Sequence, residues 1–436
     1  MAGARMIPAD DGDATPLDEA RLEPVRFVAL TDAVLRLGIL MLGAGASSAR
    51  VRTTMERVGR AWGIETMNAR VGMLDIVLTV SRGQLVRTRV AEVARPVVNA
   101  ERIAALQRLS HEVEAEAGGS VDDFAARLDA IAARPARYGM LLRILAAGAA
   151  CAAFALLNNG GWAAAVAVGV GAAAGQAVRM LLGRARLNEF LTVFVAAATA
   201  LLIYLGAAQF FEVLGQPFAH DAALTSAVLF LVPGFPLVTG AMDLARLDLN
   251  AGIARVVYAC LILLTAGSAV WAVAALFATS PGAVATPLLD EPVLAVMRLA
   301  AGFVGVLGFA LLFATPWRIA IASAAVGAIA NTARLTAVDA GLMPAVAAMA
   351  AGLLVGLGAF ICYRRLDAPR VALTVPAVVI MVPGAAAYRA IVATIDGDTL
   401  AAVQNSVQAL FVVAALAIGL TVARVVSEKE WGDRSR

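Results

Sequence analysis

Apolar residues follow two rhythms along this chain. From Arg26 they recur at helical spacing among polar neighbours: Phe27, Leu30, Val34, Leu35, Leu37 and Leu40 form one stripe, and Val51, Met55, Val58 and Trp62 form a second. The small-residue turn Gly43-Ala44-Gly45-Ala46-Ser47-Ser48 separates them, with Ser47 or Ser48 placed to cap the second helix and Gly63 placed to end it. Residues 73–80 read as a strand that can pair with 84–90 across Arg82-Gly83, and helices are expected over 97–117 and 121–133. This first part reads as a soluble domain of mixed α and β character.

Beyond Arg134-Pro135-Ala136-Arg137 the rhythm changes to long, nearly uninterrupted apolar runs. Ten are expected, at 138–157, 161–182, 189–211, 222–243, 252–278, 292–314, 317–335, 340–361, 371–393 and 400–424. Each is about as long as the ~20 residues that cross a bilayer as a helix. Composition agrees: 61% of residues are hydrophobic and 15% charged, with a mean hydropathy of +0.82, which excludes an ordinary soluble protein. The fold class expected is an α-helical integral membrane protein carrying an N-terminal cytoplasmic α+β domain. Its parts are a disordered tail (1–25), the domain (26–137), a first five-helix repeat (138–278), a second (279–425) and a cytoplasmic tail (426–436). The first 25 residues lack the apolar core of a signal peptide.

Charge sets the orientation. Arg134, Arg137, Arg184, Arg186, Arg246, Arg318, Arg364, Arg365, Arg370, Lys429 and Arg434 fall on one side if each run crosses once, while 158–161, 212–221 and 279–291 hold no Lys or Arg. By the positive-inside rule both termini face the cytoplasm, which for a bacterial protein places the chain in the inner membrane. Arg334 and Arg389 depart from the pattern. Five crossings per half are odd in number, so the second half enters the membrane in the opposite sense, as an inverted repeat.

Two runs are broken near their centres. Val232-Pro233-Gly234-Phe235-Pro236 interrupts run four, and Val382-Pro383-Gly384 interrupts run nine 150 positions later. Proline removes a backbone donor and clashes with the carbonyl four residues back, so these helices must open. Paired breaks in two halves point to the substrate site of a secondary transporter. The candidate substrate-binding residues are Pro233, Gly234, Phe235, Pro236, Pro383, Gly384, Tyr388 and Arg389, and Asp243 is the candidate for proton coupling. Each has a plainer reading: Asp243 as an interfacial acid beside Arg246 and Asp248, Arg389 as a snorkelling cation, and Tyr388 as an interfacial anchor. Gln176, Asn331, Gln404, Asn405 and Gln408 read as amides tying helices together; at an offset of 150, Gln176 maps to Val326 and not to Asn331. Arg143 and Arg298 read as snorkelling. The three cysteines and two histidines form no disulfide framework or metal motif, and no ATPase or hydrolase signature is present.

Taken together, Gly43-Ala44-Gly45-Ala46-Ser47-Ser48-Ala49-Arg50-Val51, the helix ending at Trp62-Gly63, Val232-Pro233-Gly234-Phe235-Pro236-Leu237 with Asp243, and Val382-Pro383-Gly384 with Tyr388-Arg389 resemble the threonine/serine exporter family. The resemblance implies proton-driven export of small hydroxy amino acids, although related two-protein systems are associated with dicarboxylates such as succinate. Its implied partners are a small amino acid or carboxylate, protons and the lipid bilayer, with a homo-oligomer left open. No nucleic acid, cofactor or metal is expected. The rival readings are a channel and a hydrolase anchored by its helices. The topology is tested by single cysteines in a cysteine-free background: one at Asn159 or Pro287 should react with a membrane-impermeant reagent from outside, and one at Ala185 should not. The reverse labelling would overturn the orientation.

Overall fold

The computed structural model describes residues 19–93, 97–215, 223–277, 289–366 and 370–427. Residues 1–18, the tail from 428 and the labelling position Pro287 lie outside them. The N-terminal domain is built from α1 (Glu19–Gly43), α2 (Ser48–Ala61), an antiparallel sheet of β1 (Thr66–Val71), β2 (Asp75–Arg82) and β3 (Leu85–Glu92), then α3 (Ala100–Ala115) and α4 (Val121–Ala132). α1 starts at Glu19, so the end of the stretch read as a disordered tail is helical. The hairpin forms where expected, with Arg82 opposite Leu85 and Gly83 at φ +55° in the turn. β1 is an addition: its apolar residues Met67, Ala69 and Val71 alternate with Thr66, Asn68 and Arg70, a period-two signal that the sequence carries. It sets Ala69 and Val71 opposite Leu78 and Ile76 over a core shared with Leu37, Met55 and Leu106.

Helix ends follow local chemistry. Asn99 Oδ1 accepts from Arg102 N at 2.9 Å to cap α3, and Gly63 at φ +75° closes α2 while Ile64 N reaches Gly59 O at 2.9 Å. Ser47 holds the cap position of α2, yet its side chain makes no capping bond, and Ser48 Oγ donates instead to Asp248 Oδ2 at 2.8 Å. Ser48 therefore serves the contact with the membrane helices.

Those helices are α5 (Met140–Leu157), α6 (Trp162–Arg184), α7 (Glu189–Val213), α8 (Ala223–Ser226) with a 3-10 turn (Leu229–Leu231), α9 (Gly234–Leu244), α10 (Leu249–Leu276), α11 (Glu291–Leu312), α12 (Trp317–Asp339), α13 (Pro344–Leu366), α14 (Arg370–Val379), α15 (Gly384–Ile395) and α16 (Thr399–Ser427). Among the described residues eight helices are long and apolar enough to span a membrane, or ten when the bent pairs Ala223–Leu231 with Gly234–Leu244 and Arg370–Val379 with Gly384–Ile395 each count as one. These coincide with the ten runs. Some elements of the two halves recur at fixed spacings. α9 and α10 recur 150 positions later as α15 and α16, whereas α6 and α12, each 23 residues long, start 155 positions apart at Trp162 and Trp317. Asp339 consequently ends α12 and does not open the eighth span, which starts at Pro344.

Small residues let these helices approach. A Cβ at Gly308 would stand 2.6 Å from Ala146 O, joining α11 to α5, and one at Gly419 would stand 2.2 Å from Met349 O, joining α16 to α13. The N-terminal domain docks on one end of the bundle. Ala100 N donates to Phe313 O at 2.9 Å, Tyr138 Oη to Thr315 O at 2.7 Å and Arg52 to Asp248 at 2.8 Å, so the loops it touches are those that the arginine pattern groups together. The packing predicts that Gly419→Ala, which meets backbone and cannot be relieved by a rotamer, lowers stability by about 1–3 kcal/mol. Gly206→Ala, which meets nothing within 4 Å, should not. Thermal unfolding of the purified protein in detergent compares the two.

Candidate functional site

Both breaks have the same backbone. Pro233 and Pro383 each sit at φ −77° and ψ 55°, and Gly234 N and Gly384 N each donate to the carbonyl two residues back, Val232 O and Val382 O, at 2.8 Å. These are inverse γ-turns. They arise because proline fixes φ and drives the preceding valine out of the helical region, with Val232 at ψ 122°. New helices begin at once through Leu237 N to Pro233 O and Ala387 N to Pro383 O, both 3.0 Å, bent from their predecessors by 70° and 48°. Pro236 falls in the first turn of α9, where an absent N–H costs no helical bond.

The two turns pack against each other. A Cβ at Gly234 would lie 3.0 Å from Val379 Cγ1, and one at Gly384 would lie 2.7 Å from Leu229 Cδ2 and 3.0 Å from Val232 Cγ2. Leu229 and Val379 are themselves 150 positions apart, so the contact is reciprocal. Pro233 also strips the Phe230 carbonyl of its donors, since position 233 has no N–H and Gly234 N is turned to Val232. Arg179 Nη1 of α6 stands 3.5 Å from that carbonyl. Tyr388, fully buried, aims Oη at Val228 O at 3.4 Å, which excludes an interfacial anchor.

α6 and α12 supply the polar groups. Gln176 is 4% exposed with Oε1 unpartnered, and Asn331 is 1% exposed with Nδ2 unpartnered, among the described residues. Asn331 Oδ1 accepts from Arg334 Nε and Nη2 at 3.1 and 2.9 Å. At the α6-to-α12 spacing of 155, Gln176 corresponds to Asn331 and Arg179 to Arg334, so an amide and an arginine three residues on recur in both halves. Offset 150 hid this correspondence. Ser323 Oγ donates to Leu373 O at 2.7 Å and Gly327 abuts Ala377, so α12 packs along α14, the helix that leads into the second break. Arg179 escaped the sequence reading because Arg184 and Arg186 follow it closely and absorb it into an interfacial basic cluster. Arg389 lies apart from this group, with Nε 3.4 Å from Asn405 Oδ1 on α16. Arg298 is 3% exposed and reaches Asp339 at 2.5 Å, whose side chain is 46% exposed at the end of α12, so a buried guanidinium extends to a half-exposed acid.

Asp243 and Phe235 connect the breaks to the N-terminal domain. Asp243 is fully buried at the far end of α9, its Oδ2 3.2 Å from Nη1 of Arg255 on α10, whose side chain is 6% exposed. Neither Asp243 oxygen meets a donor in hydrogen-bond geometry among the described residues. Arg255 Nη2 in turn donates 2.8 Å to Ala46 O in the small-residue turn. One residue earlier, Gly45 holds φ +89°, and a Cβ there would stand 3.2 Å from Phe235 Cε1. Phe235 stacks edgewise on Phe313 at 5.7 Å. The first sequence signature thus closes over the second.

A family model described as a threonine/serine exporter matches residues 32–277, and a second threonine/serine exporter model matches residues 298–426. The chain belongs to the threonine/serine exporter family. The first match ends just after α10 and the second begins within α11. The chain is 24% identical over 408 residues to the "Threonine/serine exporter" of Corynebacterium glutamicum, covering 90% of this chain and 81% of that protein. It is 30% identical to proteins named "Probable succinate transporter subunit YjjP" from Klebsiella aerogenes, over 54% of this chain and 89% of that one, and from Escherichia coli, over 57% and 94%. No solved structure matches. Membership in this exporter family and the apolar helices together make the chain a multi-pass membrane transporter.

The buried Asp243–Arg255 pair predicts a strongly coupled double-mutant cycle. Either Asp243→Asn or Arg255→Gln alone leaves a buried uncompensated charge and should cost about 3–5 kcal/mol, while the double variant should cost less than either. Thermal unfolding of the four purified proteins reads the coupling, and additive losses would deny the pair.

Proposed function

We propose that this protein is a proton-coupled secondary exporter of small hydroxy amino acids such as threonine and serine, working by alternating access at the paired breaks. The observation that carries this reading is the reciprocal contact of two backbone-identical Pro-Gly turns inside the membrane core. α9 and α15 each begin there, and their first-turn N–H groups and positive dipole ends suit a substrate carboxylate, while carbonyls orphaned by the prolines suit an ammonium. Two five-span halves of opposite sense would let one half rock against the other about this contact. The arginine pattern favours the N-terminal domain on the cytoplasmic side of the inner membrane.

Asp243 fits the coupling role through its neighbours. A proton on its carboxylate would remove the charge that holds Arg255, and Arg255 is also the group that grips the turn covering Phe235. Protonation state and cytoplasmic closure would then be one event. A dicarboxylate is the second reading, favoured by the repeated Arg179 and Arg334, which offer one guanidinium per half, and by the names of the 30% relatives.

Proteoliposomes loaded with threonine, serine or succinate test both. Pro233→Ala and Pro383→Ala are the informative variants, because they regularise the helix without adding a Cβ at the crowded glycines. Each should remain folded and weaken substrate affinity about tenfold or more, and Arg179→Gln should do so by a similar amount through the loss of a charge-assisted contact of ~1.5–3 kcal/mol. Unchanged affinity in both proline variants would remove the site from the breaks, and preferred efflux of succinate would replace the amino acid as substrate.

A further inference from the structure

Between the N-terminal domain and the membrane helices lies a cavity of about 1400 Å³, and among the described residues its walls hold ten arginines against two carboxylates, Glu101 and Asp248. Both carboxylates are already engaged, Glu101 by Arg137 and Asp248 by Arg52 and Ser48. The arginines come from both sides. Arg52, Arg57 and Arg108 face the cavity from α2 and α3, and Arg318, Arg365 and Arg370 face it from the membrane helices. Some are occupied: Arg57 pairs with Glu114, and Arg370 lies over the rings of Phe360 and Tyr363. Arg108, Arg318 and Arg365 make no hydrogen bond or ion pair with the described residues, and all three are exposed to the cavity's solvent.

The positive-inside rule accounts for arginine on the membrane side alone. It does not account for a second basic wall on a soluble domain turned toward the first. Two like-charged walls repel, and that repulsion works against the contacts that hold the domain down beside the cavity, the Arg52–Asp248 pair, the Ser48–Asp248 hydrogen bond and the backbone bond at Ala100. Low-dielectric walls focus such a field and concentrate counterions in the space between. Guanidinium forks are the side chains best matched to carboxylate and phosphate oxygens.

We propose that this cavity is a binding site for small multiply charged oxyanions, of the di- and tricarboxylate or phosphate class, and that an anion held there clamps the N-terminal domain to the membrane helices. The site is separate from the helix breaks, and its assignment is independent of which molecule is exported. A bound anion stabilises the folded state by mass action, so it must appear as a rise in melting temperature that grows with the logarithm of anion concentration above Kd.

The purified full-length protein is heated in detergent with citrate, succinate or inorganic phosphate, each against sodium chloride of equal ionic strength. Citrate and phosphate should raise Tm by on the order of 2–4 °C above chloride. Arg108→Gln combined with Arg318→Gln should melt at or above the wild-type temperature without anion, because like-charge repulsion is relieved, and should need at least tenfold more citrate for the same rise. Arg179→Gln, altered at the breaks, should keep the full citrate response. The headgroup of an acidic lipid carries the same chemistry. In nanodiscs, a rise that phosphatidylglycerol supplies and that abolishes the citrate response would assign the site to lipid, whereas a citrate response that persists in that lipid assigns it to a soluble anion. No rise beyond chloride from any of these probes, or a full rise in the double variant, would overturn the proposal.

Discussion

A peptide group in hydrocarbon has no water to turn to, and the architecture of this membrane bundle follows from how two opened helices meet that constraint. Each proline frees carbonyls and redirects an amide, and each break is buried against the other. The glycines at 234 and 384 make the contact possible, since a side chain at either would strike Val379 or Leu229. Tyr388 approaches the Val228 carbonyl and Arg179 the Phe230 carbonyl, so the polar groups nearest the break are those that would otherwise have no partner in the core. An arginine and a tyrosine held at 3.5 and 3.4 Å from these carbonyls are the groups that the proposed substrate site would use.

The same dependence extends outward. α9 runs from the first break to Asp243, and the Asp243–Arg255 pair delivers a guanidinium to the Ala46 carbonyl of a turn that also rests on Phe235. Buried pairs of this kind contribute little net stability against an apolar substitute, but breaking one is costly. The pair therefore specifies one arrangement of the N-terminal domain. Gly45 in a left-handed conformation is the local device that lets the turn lie close enough.

Much was legible along the chain. Ten spans, their approximate ends and both breaks follow from hydropathy and from proline, because a bilayer filters sequence by length and polarity before any tertiary contact forms. The hairpin across Gly83 was legible from local turn chemistry, and β1 was present as an alternation that went unread. Ser47 and Ser48 looked like caps because a serine before an apolar stripe is a local signal, and Asp248, 200 positions on, overrode it.

What tertiary structure alone decided is pairing. A single offset of 150, true for α9, α10, α15 and α16, concealed that α6 and α12 recur at 155, and with it the matched Gln176–Arg179 and Asn331–Arg334. Arg298 and Asp243 looked interfacial by position, yet each is buried because a partner on a neighbouring helix neutralises it. The sequence by itself determined the spans, the breaks and the soluble domain, since these depend on runs of adjacent residues. Which breaks, charges and loops face one another depends on residues hundreds of positions apart, and only the folded chain brings those within bonding distance.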